Sequence, residues 1–221
     1  ASDVYKRQIR RYEYEWADKY LIATFPSRHY DIELYPAVKR HLLSFGKERL
    51  EQTGKTYSIN GEKIKARKKT HNKWFETQDS ISYWEDFMRP KIIWKRIGSI
   101  LRFSYDTTGN LGLDSTCFAT GQHMAYLCCI LNSLMGHYMF KDSPKTGTGD
   151  LLVSVQAIEP ILIPMNKDME CLFENLLEEV LEHRSEETEK EINRLAFKLY
   201  DLSPAEINYI TDFVTQSQQS Q

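Results

Sequence analysis

The 221-residue chain has no long hydrophobic run. Its longest nearly apolar stretch, Met124 to Leu131, is far short of the ~20 residues that a membrane-spanning helix needs, so no membrane partner is expected. The cysteines Cys117, Cys128, Cys129 and Cys171 include no Cys-x-x-Cys spacing and read as reduced, mostly buried thiols of a cytoplasmic protein. No two prolines adjoin, which excludes the Asn/Asp-Pro-Pro-aromatic loop that clamps the exocyclic amine of a flipped base in amino-methyltransferases. Gly147-x-Gly149 lacks the further glycine of a dinucleotide fingerprint, and neither a Walker loop nor Gly-x-Ser-x-Gly occurs. No Asp or Glu stands two residues before a Lys, so the carboxylate-x-lysine pair of one large nuclease class is missing too. The histidines are scattered without ligand spacing. No catalytic residue and no metal site is expected.

What is present is a folded chain with a divided charge. Hydrophobic residues make up 41% of it, enough for a real core. Residues 1–105 carry 22 basic and 13 acidic residues, a balance of +9; residues 106–221 carry 7 and 18, a balance of −11. A basic half beside an acidic half suggests a polyanion-binding face and a separate solvated module.

Tyr12 to Phe25 reads as a strand leading into a loop at Pro26. Pro36 suits a first helical position; Val38, Leu42, Phe45 and Leu50 continue at helical spacing until Gly54. Asn60-Gly61 favours a tight hairpin between two weak strands, inside a basic stretch holding Lys63, Lys65, Arg67, Lys68 and Lys69. Strand-sized runs follow around Ile92, Phe103 and Phe118. Gly121 to Phe140 reads as one buried helix. From Asp168 the pattern is helical, with acidic residues in excess, and Ser203-Pro204-Ala205-Glu206 resembles a capping box. The fold class expected is α+β, with a mixed or antiparallel β core, packed helices and a helical C-terminal segment.

Asp3 to Gln8 looks like one reading frame of a common sequencing adapter, so residues 1–8 are expected to be a foreign scar and the chain a C-terminal piece of a longer protein. The divisions expected are a recognition domain over 9–165, a helical segment over 166–212 and a disordered tail over 213–221.

Four ordered segments carry a resemblance: Tyr20 to Arg28 with Tyr35 to Leu43; Trp74 to Gln78 leading to Arg89-Pro90-Lys91-Ile92-Ile93-Trp94; Asp114 to Phe118 followed by Leu131-Asn132-Ser133; and Val155 to Pro164. Together, over roughly residues 20–165, they resemble the TaqI-like C-terminal specificity domain. This is the target recognition domain of adenine-specific DNA methyltransferases and of fused type IIG restriction–modification enzymes. The resemblance implies double-stranded DNA as partner, a catalytic methyltransferase domain N-terminal to this chain that packs against it, and S-adenosylmethionine as a cofactor of that domain, not of this one.

Under that reading, lysines and arginines would neutralise phosphates. The candidates are Lys63, Lys65, Arg67, Lys68 and Lys69, then Lys73, Lys95, Arg96 and Lys145. Thr146 and Thr148, in a glycine-bearing loop, are candidates for close approach to phosphate. Asn72, Gln78 and Asn110, in predicted loops, and Arg96 and Arg102 carry the paired groups that base reading needs. Trp74, Trp84 and Trp94 read as core rather than stacking platforms. Two competing readings are a fragment of a type I specificity subunit, which a second recognition domain upstream would reveal, and a protein-binding scaffold, which failure to bind duplex DNA would favour.

Overall fold

The computed structural model describes residues 9–219; the suspected adapter segment 1–8 lies outside them. The fold is α+β with small antiparallel sheets and a helical C-terminal segment, as expected. The described residues divide into two units, one formed by Asp18–Glu85 and the other by residues 9–17 together with 86–219. By this division the residues on either side of 165 fall in one unit.

In the unit Asp18–Glu85, single 3-10 turns at Pro26–Arg28 and Ile32–Leu34 precede helix α1, Pro36–Leu43, with proline in its first turn. The helix expected to run on to Gly54 breaks at Gly46, whose φ of 87° is left-handed, and resumes as the single turn α2, Lys47–Leu50. Strands β1, Thr56–Ile59, and β2, Glu62–Lys65, form the expected hairpin. Asn60 and Gly61 have φ of 52° and 84°, the left-handed pair that a two-residue turn requires and that Asn-Gly adopts with little strain. The strand expected over Tyr12 to Phe25 is absent beyond isolated bridges at Tyr12 and Tyr14.

The apolar core of this unit is thin: Phe25, Ile32, Ala66 and Phe75. Hydrogen bonds supplement it. The buried Gln52 amide donates to the carbonyls of Glu76 (2.8 Å) and Lys73 (3.1 Å) and accepts from the Thr70 hydroxyl (2.6 Å). Buried Glu76 accepts from the Lys73 backbone N–H at 2.7 Å. The segment 70–78 is thereby fastened to the residues after α2.

The other unit is built on a three-stranded antiparallel sheet in the order β5-β3-β6: β3 is Lys91–Lys95, β5 Phe103–Asp106 and β6 Thr116–Thr120. A second small pairing joins β4, Ile97–Gly98, to β7, Leu151–Leu152. Helix α3, Met124–Asn132, lies against β3 and β5, and α4, Leu134–Met139, follows at once. The single helix expected over 121–140 is broken because Ser133 is extended. The residues at this break explain themselves. The Asn132 amide donates to the Phe103 carbonyl (2.6 Å) and accepts from the Phe103 N–H (3.1 Å), pairing with β5 as a strand would. Ser133 caps α4 by accepting from Gly136 N–H at 3.1 Å.

After the short α5, Val155–Ile158, come α6, Lys167–Glu182, α7, Glu186–Leu199, and α8, Pro204–Gln219. Met169, Phe173, Leu177, Ile192 and Leu195 share one core with Trp94, Phe103, Cys128 and Cys129. The acidic helices are therefore part of this unit. The capping box forms: Ser203 N–H donates to the Glu206 carboxylate at 2.8 Å. The tail expected to be disordered from 213 is helical through 219, held by buried Val214 in a small cluster with Phe197 and Ile210. Trp94 is core as expected, its indole N–H donating to the Val153 carbonyl at 2.7 Å; Trp74 and Trp84 are half-buried. Burial pushes the Cys128 thiol up to about 12 and raises Cys129 well above its ordinary value. Cys171 is exposed. A thiol reagent at neutral pH is expected to label Cys171 in the folded chain and to reach Cys128 and Cys129 only after denaturation, as mass spectrometry of the labelled peptides would show.

Lys91 and Asp106, register partners on β3 and β5, form an ion pair whose side chains are both fully buried. Lys91 Nζ also donates to the Phe87 carbonyl at 2.6 Å. Asp106 accepts from the N–H groups of Thr108 (2.8 Å) and Asn110 (3.1 Å) and from the Tyr14 hydroxyl (2.9 Å). Burial pushes the Asp106 carboxyl up, but the hydrogen bonds from Lys91, Thr108 and Tyr14 outweigh it and hold the group below its ordinary 3.8. Removing one member leaves an uncompensated buried charge. Lys91→Met is expected to cost about 3–5 kcal/mol in denaturant unfolding, and Lys91→Met with Asp106→Asn less than the two single costs summed. Because the folded carboxyl is depressed, this stabilisation is complete above 3.8 and is lost as pH falls through the lower folded value. Acid titration of the wild type and of Asp106→Asn checks the sign.

Candidate nucleic-acid interface

The basic stretch becomes a surface through the alternation of a β-ribbon. Lys63 and Lys65 are two residues apart on β2, so they share a face. Their cross-strand partners Ser58 and Thr56 lie on that face too, and all four are exposed. Tyr57, Ile59 and Ile64 fill the other, half-buried face. The pairing continues below the strands: Ala66 N–H donates to the Lys55 carbonyl (2.8 Å) and Gly54 N–H to the Arg67 carbonyl (2.9 Å). Lys68 and Lys69 follow, both exposed. Among the described residues none of Lys63, Lys65, Lys68 and Lys69 has an ion-pair partner. Lys39, by contrast, is held by Glu33 at 2.6 Å.

Arg67 differs from these neighbours in that its guanidinium is engaged by backbone carbonyls. Its Nε and an Nη donate to the Leu50 carbonyl at 2.9 and 2.6 Å, and the same Nη donates to the Trp74 carbonyl at 2.6 Å. Burial pulls its pKa below the ordinary arginine value. It is the bolt at the ribbon's base: its planar fork holds fixed donors against two carbonyls, those of Leu50 and Trp74. Lys73 is exposed, with its ammonium 5.6 Å from the Phe75 ring centre.

The remaining candidates belong to the other unit. Lys95, at the end of β3, is half-buried; Arg96 is exposed. The backbone of Arg96 holds Ser115 and Val153 through hydrogen bonds of 3.1 and 2.8 Å. Lys145 is exposed next to the 146–150 loop. That loop, whose threonines were candidates for close approach to phosphate, closes on itself. Thr146 and Thr148 share a hydrogen bond of 2.8 Å, Thr148 donates to the Asp150 carboxylate at 3.3 Å, and the N–H groups of Thr146, Gly149 and Asp150 are spent inside the loop. An aspartate beside the two hydroxyls repels phosphate.

The candidate base readers divide in the same way. The Asn72 amide donates to the carbonyls of Thr77 (3.0 Å) and Gln78 (2.9 Å), and that of Asn110 to Tyr14 and Thr108. Gln78 is exposed. Asn60, read from the sequence only as a turn residue, is exposed at the ribbon tip, and its amide makes no hydrogen bond among the described residues. The Asn-Gly dipeptide that signals the turn was also the available signal for this residue, since it sits inside the basic stretch.

The ribbon gives this unit one polar, lysine-bearing face, the class of surface that favours polyanions. Comparison with known proteins gives the class its family. A model of the TaqI-like C-terminal specificity domain matches residues 5–155, and the chain belongs to that family, the specificity domains of DNA methyltransferases, which implies DNA as partner. The match contains the ribbon, the β5-β3-β6 sheet and the Asn132–Ser133 break. No curated protein matches the chain. No helix among the described residues is long and apolar enough to cross a membrane.

If Arg67 is structural, Arg67→Met should cost about 2–3 kcal/mol and speed hydrogen exchange at the Gly54 and Ala66 amides, which pair across the ribbon's base, without lowering the salt dependence of DNA binding.

Proposed function

We propose that this chain reads duplex DNA sequence for a site-specific methyltransferase that modifies adenine N6. The carrying observation is the set of exposed lysines with no ion-pair partner among the described residues, Lys63, Lys65, Lys68 and Lys69, on and beside the ribbon of a chain that belongs to a specificity family. Each lysine that settles on a phosphate releases condensed counterions, which gives affinity without sequence preference. An enzyme acting on adenine must rotate it out of the stack, so the duplex has to be gripped while the base is out. This module supplies grip and address.

The methyl transfer belongs elsewhere in the protein. The residues here do not fit S-adenosylmethionine: the sheets are antiparallel, and among the described residues there is no parallel strand followed by a glycine-rich turn and a helix N-terminus to hold such a cofactor. We therefore assign that cofactor to a catalytic domain joined to this chain. Helices α6 to α8 serve as packing support and not as a DNA surface, since their acidic excess repels phosphate.

The test is a salt titration of duplex binding by the full chain. Wild type should lose affinity linearly in log salt. Replacing Lys63, Lys65, Lys68 and Lys69 with glutamine should flatten the slope by about 0.9 for each phosphate that is no longer neutralised. An unchanged slope rejects this surface; no binding at low or moderate salt rejects DNA reading and favours a protein scaffold.

A further inference from the structure

The ribbon has more than charge. Among the described residues no third strand joins it, and none of its strand residues is buried. An isolated two-stranded hairpin is marginal in water; this one is fixed at its base by Arg67. Its tip is clear: a Cβ built on Gly61 would meet nothing within 4 Å. Two paired strands fit the major groove of B-DNA, about 12 Å wide, and not the minor groove at about 6 Å.

The amides of this unit single out one reader. To read an adenine edge, an amide needs its donor and acceptor both uncommitted. Gln52 is buried and bonded through both ends of its amide, and Asn72 spends its NH2 on two carbonyls. Gln78 and Asn60 remain, and of these Asn60 stands at the tip, flanked by the exposed Ser58, Lys63 and Lys65.

Resting on the DNA-reading function above, we propose that the β1–β2 ribbon enters the major groove tip first and that Asn60 reads an adenine there, with Lys63 and Lys65 against the flanking phosphates. Asn60 is then a specificity-determining residue. Its left-handed backbone narrows the useful replacements to glycine and aspartate, both of which suit the first position of this turn.

The experiment is selection of binding sites from a randomised duplex pool by the full chain, its Asn60→Gly form and its Asn60→Asp form, with thermal melts to confirm that all three fold alike. Wild type should select a motif containing an adenine whose preference falls about tenfold in Asn60→Gly, while binding to unrelated duplex and its salt slope stay unchanged. Asn60→Asp, which can only accept, should exchange that adenine for cytosine, whose amino group donates. The same motif with the same discrimination in all three proteins overturns the proposal and leaves DNA reading intact; duplex binding by wild type with no motif selected overturns sequence reading as well and leaves only a phosphate-binding surface. Absence of duplex binding by wild type overturns DNA reading itself.

Discussion

The β5-β3-β6 unit depends on one buried pair of charges. Lys91 and Asp106 sit opposite each other on adjacent strands with no exposed side-chain surface. Such a pair is tolerable only if its remaining hydrogen-bonding capacity is filled. Here the Phe87 carbonyl accepts a hydrogen bond from the ammonium, and Tyr14, Thr108 and Asn110 donate to the carboxylate. Each of these contacts fixes a different piece of chain: the approach to β3, the N-terminal strap and the turn after β5. The strap is further held by the Ser104 hydroxyl, which donates to the carbonyls of Arg10 and Glu13 at 2.8 Å. The ion pair thus works as a register pin as much as a source of stability.

The two units are held by different physics. In one, a continuous apolar core runs from the sheet through α3 to α6 and α7. In the other, few apolar groups are buried, and Gln52, Glu76 and Arg67 secure the loops through directional bonds. Small apolar cores stabilise weakly, so fixed geometry there has to come from polar groups that accept few alternatives.

Where a pattern is local, the sequence was readable. The Asn-Gly hairpin, the proline at the start of α1, the Ser203–Glu206 box and the helical stripes beyond 168 all appear as expected, because each is specified by residues a few positions apart. Interruptions of otherwise helical runs were not readable: Ser133 and Gly46 break them for reasons that lie in tertiary contacts of Asn132 and in a left-handed backbone. The α8 tail looked too polar to order itself, yet Val214 and Phe213 find partners in α4 and α7 that composition does not reveal. In the candidate interface, charge located the basic stretch, but charge alone could not separate Lys65, which faces solvent, from Arg67 two residues on, which faces carbonyls. Lys91 is the sharper case: a lysine within an apolar strand is buried only because its partner lies 15 residues away.

The exposed ribbon has a consequence for how such a module can change. Thr56, Ser58, Asn60, Lys63 and Lys65 are all exposed, and the bolt that holds their strands is Arg67, outside the exposed face. On the proposed reading, address and architecture are written in separate residues, so a new address could be composed on the ribbon while Arg67 and its carbonyl partners stay as they are.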